Sequence, residues 1–250
     1  MGRFISLLYH DVHPGATFDY GRMHPAALMY HVSEIAFRRH LQLIKESGHD
    51  VMFCFDDGWA GAVSIAPALL RDAGLRGFFF ITTGFLGRTY FTTAEGIRRV
   101  ADEGFTVGSH GVTHRMLSSL PVTEIRAELV DSKAQLEDII GKRVTTFSIP
   151  GGARDRRVVE TALDVGYTDI FTSTIAVNPT RSGRHDIARI GVTRSTSDAT
   201  LRRWLAFQLG RERWRKKMLS VPKALLGMRA YTRLRRTLLG SSGHEHYFDP

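Results

Sequence analysis

The chain has 250 residues, 43% hydrophobic and 24% charged, which is ordinary for a soluble globular protein and enough for one large α/β domain with or without an appendage. No run approaches the roughly 20 apolar residues of a membrane span, and Cys54, the single cysteine, excludes an internal disulfide. The formal net charge of +9 is unevenly placed: residues 1–197 hold 22 Lys/Arg against 21 Asp/Glu, whereas 198–240 hold 12 Lys/Arg against Asp198 and Glu212.

In chain order, the opening MGRFISLLYHDVHP lacks the basic start, long apolar stretch and small-residue cleavage site of a secretory signal, so a cytoplasmic location is expected. Short apolar, β-prone runs predict strands at 4–9, 51–55, 77–81, 105–108, 144–149, 168–172 and 187–192. Helical stretches fall between most of them, at 33–47, 60–72, 93–103, 121–140 and 154–164. Ser33 and Thr93 suit N-caps, and Gly48, Gly74, Gly104, Gly141 and Gly166 sit where C-terminal glycines belong. Alternation of strand and helix implies right-handed crossovers and a parallel sheet, and six or seven such units suffice to close a barrel. The unusual polar residues then gather at strand C-terminal ends: His10 and Asp11, Asp56 and Asp57, Ser109, His110 and His114, then Pro150, Gly151 and Gly152. Arg189 lies within the last strand. In a closed parallel barrel these ends meet on one face, where reactive groups collect.

FCFDDGWAG, residues 53–61, ends an apolar run in two adjacent acids. An unpaired carboxylate inside an apolar core costs several kcal/mol or more. In Ser109-His110-Gly111-Val112-Thr113-His114 two imidazoles stand four residues apart, and a helical turn would aim both at one metal. Asp57 is the candidate carboxylate ligand, and Asp56 is then free to take a proton from the attacking water. Two surface histidines, and an acid that merely caps the helix beginning near Gly58, are the competing readings.

These residues resemble the polysaccharide deacetylases, the NodB-homology carbohydrate esterases. Phe55-Asp56-Asp57-Gly58 is similar to their T-F-D-D-G motif, with Cys54 where Thr is common, and His110 through His114 matches the spacing of their H-[ST]-x-x-H metal motif. The resemblance covers about 3–195. It implies a distorted (β/α)7 TIM-like barrel and metal-dependent removal of an N-acetyl group from an amino sugar in a polysaccharide, oligosaccharide or lipid-linked glycan. By carry-over Asp57, His110 and His114 hold the metal, zinc by default, with nickel, cobalt or iron compatible with the same donors. Asp56 is the base. Phe147-Ser148-Ile149-Pro150-Gly151-Gly152 aligns with the third motif, with Ser148 at a frequent Arg and Gly151 at a groove aromatic. The Gly151 N–H can still meet an oxyanion, although a plain Pro-Gly turn explains the same residues. Arg189 is the candidate substitute for the missing arginine, with a surface Arg on an edge strand as the competing reading.

Leu8-Tyr9-His10-Asp11-Val12 resembles the Y-H-[DR]-V opening of a circularly permuted subgroup. There the first strand supplies the histidine that protonates the leaving amine, which makes His10 the candidate acid, at a pKa near its ordinary value. Its competing reading is a structural strand cap. A deformylase or other amidase acting on a lipid-linked aminosugar, and a carbohydrate-binding pseudoenzyme, are the alternative functions. The domain expectation is a catalytic unit over 1–197, a basic amphipathic helical extension over 198–240 and a tail over 241–250. Pro222 separates two helices of that extension and Ser220 caps the second. The extension either packs on the barrel with a solvated basic face or binds anionic lipid at the inner face of the membrane. No recognition motif accompanies the charge, so nucleic acid is the weaker partner.

Overall fold

The computed structural model describes residues 2–15, 25–152, 155–179 and 185–218. The strands are β1 (Arg3–Tyr9), β2 (Asp11–His13), β3 (His31–Ser33), β4 (Val51–Phe55), β5 (Gly77–Ile81), β6 (Thr106–Ser109), β7 (Thr146–Ser148), β8 (Asp169–Phe171), β9 (Asn178–Pro179) and β10 (Ile190–Gly191). The helices are α1 (Pro25–Leu28), α2 (Glu34–Ser47), α3 (Ala60–Asp72), α4 (Ala94–Asp102), α5 (Val122–Ile140), α6 (Arg156–Asp164) and α7 (Asp198–Leu205).

Seven parallel strands pair in the order β10-β1-β4-β5-β6-β7-β8, with β9 antiparallel to β1. Residue 187 bridges to Phe171 of β8, while Ile190 pairs with Leu7 of β1, so the segment 187–191 spans the two sheet edges and closes the barrel. This segment is more broken than the strand expected over 187–192. Its amides alternate between edges, Ile187 donating to the Ile170 carbonyl and Val192 to that of Leu8, so no long ladder forms. The small parallel pair β2–β3 has no counterpart among the expected strands, because three-residue strands carry no readable period.

Strand alternation sorts the apolar runs onto two faces. Leu8, Cys54, Phe80, Phe171 and Ile187 pack together inside the barrel. Leu7, Phe53, Phe55, Phe79, Ile81, Val107 and Phe147 face outward under the helices, where each buried large side chain contributes about 1.5–3 kcal/mol. Gly108 faces inward, and a Cβ there would lie 2.5 Å from both a Phe80 ring carbon and Thr146 Oγ1. Gly108→Ala is therefore expected to cost about 1–3 kcal/mol through overpacking. Urea unfolding with an unchanged midpoint would refute this.

The caps follow the expected residues where the chain is local. Ser33 Oγ accepts from the Ala36 amide, Thr93 Oγ1 from that of Gly96, and Gly48 and Gly141 close their helices at φ 65°. Helix α3 differs, because Trp59 at its N-cap makes no side-chain cap bond. Asp11, from β2, caps the helix instead, its Oδ1 accepting from the Ala62 amide at 2.8 Å. The capping role considered for the Asp56–Asp57 pair thus belongs to a third acid.

Core packing continues past residue 197. Leu201, Trp204, Leu205 and Leu209 are buried in the main core, with α7 packed against α2. Burial rather than the half-exposed Arg39–Asp198 and Arg202–Glu46 pairs holds α7 there. A further helix runs over 210–218, with Trp214 and Met218 exposed. The expected Pro222 break, the Ser220 cap and the tail lie outside the described residues.

Candidate active site

Inward alternation on β4 continues past the strand end from Cys54 to Asp56, which places a carboxylate at the top of the barrel interior. The chain then turns sharply, because Asp57 adopts φ 75° and Gly58 φ 86°. A non-glycine residue in the left-handed region costs on the order of 1–2 kcal/mol, and the turn is held by bonds from the Thr82 amide to the Asp57 carbonyl (3.3 Å) and from the Thr92 amide to that of Gly58 (2.9 Å). Adjacent acids consequently point in different directions and find different partners.

Asp57 divides its two oxygens. Oδ2 accepts from the Trp59 indole at 3.1 Å, while Oδ1 lies 3.4 Å from His110 Nε2 and 3.2 Å from His114 Nε2. All three residues are buried, and their candidate ligand atoms lie within 4.8 Å of one another. His110 Nδ1 is 2.8 Å from the Ser148 carbonyl. A carbonyl can only accept, so Nδ1 carries the proton and Nε2 presents its lone pair toward Asp57, as a metal-ligating imidazole requires. Two imidazole nitrogens and one carboxylate oxygen converging in this way fit a divalent metal.

The expected helical turn through 110–114 is absent. The segment is a loop in which Gly111 takes φ 77° and His114 φ 61°, and these two residues bring the rings to 5.0 Å. Glu128 of α5 pins the loop, accepting from the Val112 amide at 2.7 Å and the Thr113 amide at 3.0 Å, with the Thr113 hydroxyl on its other oxygen. A Cβ on Gly111 would stand 3.1 Å from that carboxylate. Burial of both histidines rules out the reading of a surface pair.

Asp56 meets Arg189, which is 1% exposed and therefore no surface residue. Nη1 donates to Asp56 Oδ1 at 2.7 Å, Nη2 to Ser148 Oγ at 2.8 Å and Nε to the Thr172 carbonyl at 3.0 Å. Ser148 in turn donates to Asp56 Oδ2 at 3.0 Å, closing a ring of three side chains. Oδ2 is also the oxygen nearest the ligand set, 3.7 Å from His110 Nε2.

Burial alone would raise the pKa of Asp57, but His114 and His110, in the protonated form in which Nε2 donates, outweigh it and hold that carboxyl well below the usual carboxylate range. Asp56 is likewise pushed up by burial, more than offset by Arg189 and His110, and ends lowered. Both acids are therefore ionised at neutral pH. His10 is partly exposed, with its ring 4.5 Å from that of Tyr30. Burial lowers its pKa, and Asp57 and Asp56 oppose that only in part. The sequence-based expectation of an ordinary histidine pKa is corrected accordingly.

Gly151 takes φ 66° and ψ −3°, and the Gly152 amide donates to the Ile149 carbonyl at 2.8 Å, which is a type II turn led by Pro150. The turn and an available Gly151 amide are compatible readings. Around Gly151 a Cβ would meet nothing nearer than Met116 carbons at 3.9 Å.

Four components of the site escape a reading of the sequence. Ser148 looks there like a deficit. Trp59 orients Asp57 and packs edge-on against His31 at 4.5 Å, and His31 in turn bonds Asp11 at 3.1 Å. Glu128 leaves a readable signal, because it is an acid on the helix face that carries the apolar Ile125, Leu129 and Leu136. Asp11 is legible as a polar residue at a strand end but not as a helix cap, since its partner amide is 51 residues away.

Comparison with known proteins adds family to geometry. A Pestalotiopsis sp. protein named chitin deacetylase is 28% identical over 138 residues, 55% of this chain and 45% of its own length. The Bacillus subtilis peptidoglycan-N-acetylmuramic acid deacetylase PdaA is 25% identical over 130 residues, 51% of this chain and 48% of its own. The chain thus spans about half the length of the curated relatives it matches. The structure of Streptococcus pyogenes deacetylase PplD in complex with acetate shares the fold, with a TM-score of 0.68 at 18% identity, covering 80% of this chain and 96% of that one. A sequence model of the family described as polysaccharide deacetylase matches residues 44–170, which hold the acidic pair, both histidines and Ser148, and the chain belongs to that family.

Proposed function

We propose that the protein hydrolyses the amide of an N-acetylated amino sugar on a glycan, releasing acetate and the free amine in a metal-dependent reaction. One observation carries this reading: a ligand set of Asp57, His110 and His114 stands beside a second buried carboxylate, Asp56, that is braced by Arg189 and Ser148. A divalent ion held there, zinc by default, would polarise the acetyl carbonyl and acidify the attacking water. Asp56 Oδ2, on the ligand side, accepts the water proton as the new C–O bond forms. Its Oδ1 is tied to Arg189, which fixes the carboxylate in place and keeps it ionised before the transfer. The Gly151 N–H, at the open turn, is the donor assigned to the developing oxyanion. As the C–N bond breaks, His10 delivers a proton to the departing nitrogen. Because burial lowers its pKa, His10 performs this step from a minor protonated form, and turnover declines as pH rises above that lowered value.

The test is acetate release from neutral N-acetylated oligosaccharides, with and without chelator, by wild type and His10→Ala. Release that chelator abolishes, and a fall of about 10²-fold or more in His10→Ala with its metal and melting temperature retained, is expected. Formate in place of acetate from the matching N-formyl sugar would change the acyl group assigned. No chelator-sensitive release of either acid, with sugar still bound, would replace hydrolysis by a binding role.

A further inference from the structure

Beside the active site lies a cleft of about 790 Å³ that the proposed reaction does not use. Its lining includes Ile175, past the C-terminal end of β8, and Thr193 and Thr196, past that of β10, which places it toward the barrel end that carries Asp56 and His110. Tyr30, whose ring lies against His10, forms part of the wall, so the cleft begins next to the proposed proton donor.

The chemistry of the remaining wall is one-sided. Arg203, Arg211, Arg215 and Lys216 line it, with Glu212 as the acid among the described lining residues. Glu212 is engaged by Arg203 at 3.2 Å. Arg211 and Arg215 stand four residues apart on the helix 210–218, so they project from one face, and both are exposed with no ion pair to a described residue. A solvated basic face would spread its charges over a convex surface. Here four cations face one concave space of a size typical of ligand sites.

We propose that this cleft is a subsite for a phosphate monoester or a diphosphate attached to the sugar whose amide occupies the active site. The identity of that neighbouring occupant rests on the deacetylation reading above. A phosphate fits better than a sugar carboxylate, because a single carboxylate would leave most of the excess positive charge uncompensated. Guanidinium groups also match phosphate oxygens in planar, paired geometry.

The experiment compares binding of N-acetylglucosamine 1-phosphate with N-acetylglucosamine, by calorimetry on the full chain, for wild type and Arg211→Ala/Arg215→Ala. The phosphorylated sugar is expected to bind at least about tenfold more tightly to wild type, with the preference shrinking as salt is added. In the double variant, checked for an unchanged melting temperature, that preference should disappear. A second arm presents the same sugar on a polyprenyl diphosphate in neutral vesicles, and a preference there alone would assign the phosphate to a lipid carrier. Equal affinity for phosphorylated and neutral sugars in both arms overturns the subsite. So does a double variant that keeps the preference, or a wild type that binds plain phosphatidylglycerol vesicles without discriminating the sugars. These are binding readouts: absent acetate release would overturn the deacetylation reading alone, whereas release from neutral glycans without phosphate preference would overturn only the subsite.

Discussion

Asp56→Asn is expected to keep the metal and lose about 10²- to 10⁴-fold in turnover, while Asp57→Asn, one residue on, is expected to lose the metal itself. The same chemical change, made at neighbours, separates two jobs. Asp57 Oδ1 faces both imidazoles, and no other carboxylate oxygen among the described residues joins that three-residue ligand set. Asp56 stands outside the set, with one oxygen on Arg189 and the other on Ser148. Asparagine at 56 still accepts a hydrogen bond but cannot take a proton from water near neutral pH. Metal content per chain, measured beside acetate release, distinguishes the two failures. Equal metal in wild type, Asp57→Asn and His110→Ala would remove the basis for the ligand assignment.

Arg189→Met is expected to destabilise the fold by about 3–5 kcal/mol, the range for removing one partner of a buried ion pair. The guanidinium is fully enclosed, bonds Asp56, Ser148 and the Thr172 carbonyl, and lies 5.7 Å and 5.8 Å from the Phe80 and Phe171 ring centroids. Without it Asp56 keeps its burial, the largest influence on its pKa, and loses its main compensation. The sign of the pH dependence follows. In wild type the lowered Asp56 pKa stabilises the protein above the unfolded carboxylate value, and that contribution is lost as pH falls through the folded value. In the variant the folded pKa rises above the unfolded one, so this group favours folding at low pH and opposes it as pH increases. The stability difference between wild type and variant should therefore widen from about pH 4 toward neutrality. Urea unfolding across that range would disprove the coupling if the difference stayed flat. The double variant Asp56→Asn/Arg189→Met should recover part of the loss, since neither charge then remains unpaired.

Much of this molecule is determined by sequence alone, because it depends on short-range periodicity and local backbone chemistry. Runs such as FCF and GFFFI bury both faces of a strand and imply a parallel sheet covered by helices. Ser33, Thr93, Gly48 and Gly141 mark helix ends because capping is settled within a few residues. The motif spacings identify Asp57, His110 and His114 as a potential ligand set even though the turn between the histidines is not helical. What depends on barrel closure is invisible in the chain. Arg189 reaches an acid 133 residues earlier, and Ser148 joins them, only because 187–191 spans the edges of β8 and β1. A serine where an arginine is expected therefore reads as a deficit in the sequence and as a hydrogen-bonded link in the structure. Asp11 caps a helix it does not precede, and Trp204 lies in the core although its neighbours read as a basic appendage. In each case the deciding energy is the burial or pairing of groups far apart in sequence, which only the closed tertiary structure brings together.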